Sequence, residues 1–410
     1  MNKQLLIIGF VWPEPKSSAA GSRMMQLISF FQTQGYHITF ASACAKSDNA
    51  FDVETLGITK KTIQLNDGSF DDFIIELQPS VVIFDRFMTE EQFGWRVAEQ
   101  LPNALRILDT EDLHFLRKGR EAAYRKHEEF SNVHLFNDFA KREIASMYRC
   151  DLSLIISKAE MQLLENRFQM PKQLLFYLPF LVEPISEVTQ QQLPSFENRD
   201  HFVTIGNFIH PPNYDALLYL KETIWPKIKL KLPKAELHNY GAYGAQKVEQ
   251  LHNQKEGFLI KGRADNANTV IGSAKVLLAP LRFGAGLKGK LFDAMQNGTP
   301  YLTSKIGAEG ILDTDFMDPV VADHPDTFVD YAVNCYTDKD LWMKLQQNGF
   351  KILNENFDKS SYETAFLKRL ESLIQNLQQE RALNFTGQML MHHTMQGTKY
   401  MSKWIELKNL

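Results

Sequence analysis

The most constraining feature is the run Val81-Val82-Ile83-Phe84, apolar at four consecutive positions. A strand with one wet face alternates apolar and polar residues. One that is apolar throughout has both faces covered, as in a parallel sheet flanked by helices. Strand patterns of this kind fall at 4–11, 36–43, 61–65, 80–85, 105–110 and 152–157. Helical patterns separate them near 22–34, 70–77, 90–101, 117–148 and 158–168. Such alternation predicts right-handed βαβ units. The polar stretch 181–200, with Pro184 and Pro194, reads as a linker. Strands then resume at 201–206, 235–241, 257–262, 276–281, 300–304 and 318–322, with helices near 213–223, 266–274, 287–296, 325–336 and 338–354.

The fold class is therefore α/β, with two doubly wound Rossmann-like domains facing a cleft. The expected division is residues 1–182, a linker at 183–200, residues 201–378, and a helical tail at 379–410 that packs back on the first domain. In such sheets ligands bind at the carboxyl ends of strands.

Composition narrows the function classes. The 45 Lys and Arg against 49 Asp and Glu leave a net charge of −4, which argues against binding a polyanion by bulk charge. Cys44, Cys150 and Cys335 are far apart, which disfavours a disulfide scaffold or zinc knuckle and fits a reducing cytoplasm. No apolar run reaches the roughly 18 residues of a spanning helix. The opening LLIIGFVW (5–12) is followed at once by Pro13-Glu14-Pro15 and reads as a buried first strand rather than an export signal. Near the end, residues 394–408 are amphipathic, with Trp404 and Leu407 on one face. A packing helix is the plain reading, and peripheral membrane contact is the sharper one. The adjacent His392 and His393 point apart on a helix and read as packing or tail surface.

Chemistry concentrates in 276–310. An apolar strand ends at Pro280; a loop with Gly284, Gly286 and Gly289 carries Arg282, Lys288 and Lys290; the helix LFDAMQ follows, stopped by Asn297-Gly298. Glycines let backbone amides approach an anion, a helix N-terminus adds a favourable dipole, and the cations add full charge. These are the parts of a diphosphate site. Asp293, one turn into the helix, suits either ribose hydroxyls or dipole compensation. The string GAGLKG also satisfies GxGxxG, with Glu309 about 20 residues on, so a dinucleotide fold competes. That fingerprint normally follows the first strand of its domain, whereas this one follows about the fourth. No HExxH or GxSxG motif is present, and no metal site is expected.

At these residues the chain resembles the GT-B glycosyltransferases, in particular those like glycosyltransferase family 4. The likeness rests on SSAAGSRMMQLISFFQTQGYHITFAS near the start, on FVTIGNFIHPPNYDALLYLKETIWPKI opening the second domain, and most specifically on PLRFGAGLKGKLFDAMQNGTPYLTSKIGAEGI. It implies sugar transfer from a nucleotide diphosphate sugar, retaining, without metal or bound cofactor. Gly21 and Arg23 would approach the donor phosphates from the first domain. Gly206 and Asn207 would lie beside the donor. Lys288 or Lys290, with Lys290 favoured, would bind the diphosphate, and Asp293 the ribose. Arg282, Gly284, Gly286, Gly307, Ala308 and Glu309 would line the donor side. In LDTEDLHFLRKGR (108–120), Asp109, Asp112 and His114 are candidates for acceptor and sugar contacts, Asp112 equally a helix cap and His114 equally a core or surface histidine. Arg282 and Asp293 depart from the glutamates usual in the wider family. Catalytic weight falls on Arg23, Lys290, Asp109 and His114. The acceptor is not readable: a glycan, a lipid-linked sugar, a protein or a modified nucleoside each fits. An epimerase, or a binding protein without catalysis on the same fold, is the alternative.

Overall fold

The computed structural model describes residues 3–313 and 316–409, with backbone alone at 393–396. It contains two parallel sheets. The first holds β1 (Gln4–Gly9), β2 (His37–Ser42), β3 (Thr59–Thr62), β4 (Val81–Asp85), β5 (Leu105–Asp109), β6 (Leu152–Ile155) and β7 (Leu175–Tyr177), in the order β3-β2-β1-β4-β5-β6-β7. The second holds β8 (Asp200–Ile205), β9 (Leu237–Tyr240), β10 (Phe258–Gly262), β11 (Ala274–Ala279) and β12 (Tyr301–Thr303), in the order β10-β9-β8-β11-β12.

The all-apolar strands do what their pattern requires. Leu5, Leu6, Ile7 and Ile8 are all fully buried. Leu6 and Ile8 pack with Val82, Phe84 and Leu108 on one face of the sheet. Leu5 and Ile7 pack with Val81, Ile83 and Ile107 on the other. Side chains alternate across a strand, so one run feeds two cores.

In each sheet the chain winds outward in both directions from a central pair. The order reverses between β1 and β4 in the first sheet and between β8 and β11 in the second. Those two switch points open crevices at the strands' carboxyl ends.

The structure departs from the sequence reading in several places. Strand β7 is three residues long and lies in a continuous apolar stretch whose periodicity marks no boundary. The strand expected at 318–322 is reduced to a single bridge between Thr303 and Val321. The helix expected over 117–148 is three: His114–Arg125, Asn132–Leu135 and Asp138–Arg149. His127 breaks it with φ 56, and Ser131 and Asn137 each begin a new N-cap. The expected second domain, 201–378, includes residues 358–378. The helix Lys359–Leu383 instead buries Phe366, Leu370, Leu373 and Leu377 in the first domain's core, with Phe366 4.8 Å from Phe30. Periodicity shows that a helix has an apolar face, not which surface receives it.

The last helix, Phe385–Asn409, is longer than the expected 394–408 and is tied to the first domain. Arg96, buried, pairs with Glu406 and donates to Ser402, while Lys399 meets Glu99 at 2.9 Å. Trp404 and Leu407 remain exposed. The His393 side chain lies outside the described residues. Among the described residues, no helix is long and apolar enough to cross a membrane.

Candidate functional site

The Gly-Lys loop lies where the two domains meet. The helix Gly289–Gln296 starts without a side-chain cap, leaving its first amides open. It abuts the start of Ala19–Thr33 from the first domain. A Cβ on Gly289 would lie 2.7 Å from the Ala19 Cβ, so only glycine lets the two helix starts touch. Likewise Gly286, at φ 65, lies so close to Asp112 that a Cβ would come within 2.8 Å of its Cβ. Two N-terminal dipole ends thus converge near Lys288 and Lys290.

Lys290 is at the switch point of the second sheet. Its Nζ donates to Asn213 Oδ1 at 3.0 Å and lies beside Gly206, just past β8. Asn213 in turn donates to the Asn207 carbonyl, so Gly206, Asn207 and Lys290 form one cluster. Burial pulls Lys290 down to about 8, with Lys288 adding repulsion. Lys288 is also brought to about 8, chiefly by burial, but its ammonium folds back onto its own loop, donating to the carbonyls of Ala285 at 2.9 Å and Gly286 at 2.6 Å. Asp293 is pushed up to about 6 by burial against the pull of Lys290. Among the described residues, no side chain hydrogen-bonds its carboxylate. A cation, open helix amides and an unfilled carboxylate therefore share one corner.

Other expected residues have structural work. The Gly21 amide is taken by the Ser18 hydroxyl at 3.0 Å, and Gly21 packs against the Glu14 backbone. Arg23 is 1% exposed; its Nε meets Asp109 Oδ1 at 2.9 Å and its Nη1 the Leu178 carbonyl at 2.7 Å. Both residues are behind the cleft wall, not on its surface. The Gly286 amide donates to Glu160 Oε1 at 2.8 Å across the domain boundary, so that glycine amide is already engaged. Burial pushes Glu160 up to about 8. The Gly307 amide caps onto Ser304, and Ala308 is fully buried.

Arg282 forks onto Asp215 at 2.7–2.8 Å and lies 4.8 Å from the Tyr124 ring of the first domain. Glu309 is clamped by Arg120 through two 2.7 Å bonds, and Arg120 also donates to the Gly284 carbonyl at 2.9 Å. Burial raises Glu309, but the Arg120 contact outweighs it and lowers the carboxyl overall. These two residues join the domains.

Asp112 is held ionised well below the usual carboxylate range: burial opposes this, and Arg117, forked on it at 2.7 and 3.3 Å, with His114 overcomes it. The His114 ring is 3.7 Å from Asp112 and 3.6 Å from the buried Glu143, which also accepts the His114 and Phe115 amides.

Sequence reasoning missed several residues here. His210 stands at the N-cap position of the helix Pro211–Tyr219 without a side-chain cap bond, and is brought down to about 3, mainly by burial and then by Arg117. The Pro-Pro after it marks a helix start and could have exposed it. Beside the cluster, a cleft of about 520 Å³ opens between Phe208, Tyr243, Glu249, His252, Gly262 and Arg263. It draws on loops after β8, β9 and β10, so no contiguous motif announces it. Tyr243 closes its rim against Glu14 of the first domain, with its hydroxyl 2.7 Å from Oε1. Among the described residues, no group of three or more His, Cys, Asp or Glu could hold a metal ion.

Comparison with known proteins places this architecture. Residues 199–338 match the family described as Glycosyl transferases group 1. Anabaena HepE in complex with UDP and glucose superposes with a TM-score of 0.66 at 13% identity, over 90% of this chain and 99% of that one. Sucrose-phosphate synthase from Thermosynechococcus elongatus gives 0.64 at 14% identity, over 90% and 99%. An uncharacterized 44.6 kDa protein in the cps region of Klebsiella pneumoniae is 22% identical over 171 residues, 40% of this chain. The match spans only 44% of that relative's length. The chain thus has the GT-B glycosyltransferase fold, and its second domain carries the match to the group 1 glycosyl transferases.

Proposed function

We propose that the protein transfers a sugar from a nucleoside diphosphate sugar to an acceptor seated on the first domain. The observation that carries this is Lys290: a half-buried ammonium at an uncapped helix start, on the second sheet's switch point, opposite the other domain's helix N-terminus. The diphosphate lies against Lys290 and the amides of residues 289–290, beside Gly206 and Asn207. Asp293 accepts from the ribose hydroxyls. The nucleobase enters the 520 Å³ cleft between Phe208 and Arg263. HepE, of the same fold, is described with UDP and with UDP-glucose, which supports a uridine donor as the first to try.

As the glycosidic bond breaks, charge builds on the leaving diphosphate. Lys290 and the helix dipoles stabilise it in a site shielded from water, and no bound cofactor takes part in this reading. Contacts at Arg120–Glu309 and Tyr243–Glu14 hold the domains together around the donor and limit its hydrolysis. Retention of anomeric configuration, independence of metal and a cytoplasmic setting belong to the same proposal. Donor contacts thus fall on Lys290, Gly206, Asn207 and Asp293, while Arg23 and Asp109 support the cleft wall.

The test is release of nucleoside diphosphate from UDP-, GDP-, ADP- and TDP-sugars, with and without a pooled glycan acceptor. One donor should be turned over, and acceptor should raise its rate. Epimerised donor without release would favour the epimerase reading. Binding without any turnover would favour a non-catalytic role, and no binding of any donor would sink the proposal.

A further inference from the structure

The first sheet's switch point carries a second set of groups that the donor does not use. Phe10, just past β1, donates its amide to Asp85 Oδ2 at 3.0 Å, bridging the β1/β4 crevice. Asp85 and Asp109 are register partners at the ends of β4 and β5. Immediately beyond them, Arg86 at φ 71 and Glu111 at φ 62 both adopt the left-handed backbone that side chains resist. Strain of this kind is kept where surrounding structure enforces it, commonly at ligand sites.

Unfilled bonding capacity points the same way. Asp85 is 4% exposed and Asp109 fully buried, yet Asp85 Oδ1 and Asp109 Oδ2 have no hydrogen-bond partner among the described residues. The Glu111 carboxyl is nine-tenths buried and faces Asp109, Asp85, Arg86 and Arg23. Among the described residues it has no hydrogen-bond or ion-pair partner. Buried carboxyl oxygens left without a donor are costly unless something supplies one. Phe10 is 38% exposed at the mouth, its ring 5.3 Å from the Arg86 guanidinium.

We infer that this crevice, lined by Phe10, Arg86 and Glu111 with Asp85 and Asp109 buried behind them, binds the acceptor as a saccharide end without phosphate. The inference rests on the transferase reading and adds its second substrate. Three carboxyl groups face two guanidiniums. Arg23 is committed to Asp109 and the Leu178 carbonyl, and Arg86 is 3.6 Å from Asp85. Carboxyls thus outnumber guanidiniums in the crevice, which disfavours a phosphate there. Sugar hydroxyls are donors that fill carboxyl lone pairs, and Phe10 covers the apolar face of a pyranose.

The experiment uses the full chain and saturation-transfer NMR with methyl hexosides, methyl N-acetylhexosaminides and hexose 1-phosphate. Nucleoside diphosphate affinity and melting temperature are measured in parallel. Wild type should show transfer to methyl glycosides and none to hexose 1-phosphate. Glu111→Gly should cut the glycoside signal at least fivefold and leave nucleotide affinity within twofold. It should hold or raise the melting temperature, because glycine relaxes the left-handed backbone. Phe10→Ala should also cut the signal without altering nucleotide affinity. A lower melting temperature in Glu111→Gly with unchanged glycoside signal would assign Glu111 a structural role and overturn the inference. So would absence of glycoside signals, or preference for hexose 1-phosphate. Failure of wild type to bind any nucleotide would instead strike the transferase reading, with the glycoside signals still reporting on the crevice.

Discussion

The two switch-point crevices are built alike and charged oppositely. Both lie at the carboxyl ends of the strands where a parallel sheet reverses its order. The second sheet's crevice presents Lys290 and open helix amides; the first presents Glu111, with Asp85 and Asp109 buried beside it. On the proposed reading, one topology offers an anion site and a hydroxyl site across a single cleft. The difference arises from a few residues after each strand, not from the fold, which is why fold likeness alone does not name a substrate.

Exchanging the two crevices' supposed roles gives the sharpest ways to break this comparison. If Arg23 buttresses the acidic side, Arg23→Met leaves Asp109 buried and unpaired and costs about 3–5 kcal/mol. The first domain's thermal transition should then fall by roughly 10 °C. Replacing Asp109 with Leu as well should recover much of that loss. An unchanged melting temperature with depressed turnover would instead make Arg23 a phosphate ligand.

On the basic side, Lys290→Ala should lower turnover roughly a hundredfold, about 3 kcal/mol of barrier, with melting temperature nearly unchanged. Steady-state rates at saturating donor read this directly. Wild-type rates in that variant would remove Lys290 from the mechanism.

A smaller effect follows from pH. Burial holds Lys288 and Lys290 near 8 in the free protein. The Lys290 charge, and so diphosphate affinity, is present below about pH 8 and lost above it, by up to about tenfold per pH unit. Stability runs the other way. The unfolded chain binds more protons between about pH 8 and the ordinary lysine value near 10.4, so these lysines' contribution rises with pH across that window. Calorimetric titration at pH 7, 8 and 9 should show the falling affinity, and Lys290→Met should flatten it.

The smallest expected effect lies between the crevices. Arg120→Ala removes three bonds that join the domains, in a partly exposed setting worth about 1 kcal/mol. Donor KM should rise a few-fold with kcat little changed. An equal fall in kcat would make the clamp part of the chemical step.

How much of this could be read from the chain depends on how far apart the cooperating residues lie. The Gly-Lys corner was legible because strand end, loop, cations and helix start occupy one contiguous stretch, and local order alone brings them together. The two parallel sheets were legible for a similar reason: Val81–Phe84 states its own burial. Arg23 and Asp109 are 86 residues apart, and nothing local says that they neutralise each other. Glu160 reaches the Gly286 amide over 126 residues, so the expectation of a free glycine cradle gave way to open amides one turn later. The cleft proposed for the nucleobase is assembled from three strand ends and has no sequence signature at all. Glu111 lay inside the segment singled out for its acids, yet its left-handed backbone is visible only in three dimensions.

The most direct measurement compares the affinities of nucleoside monophosphate and diphosphate for wild type and Lys290→Ala by calorimetry at pH 7. With the β-phosphate resting on Lys290 and the helix start behind it, diphosphate should bind wild type at least tenfold tighter. That advantage should vanish in the variant while the monophosphate is little affected. Equal affinities in wild type, or an advantage that survives loss of Lys290, would contradict the account.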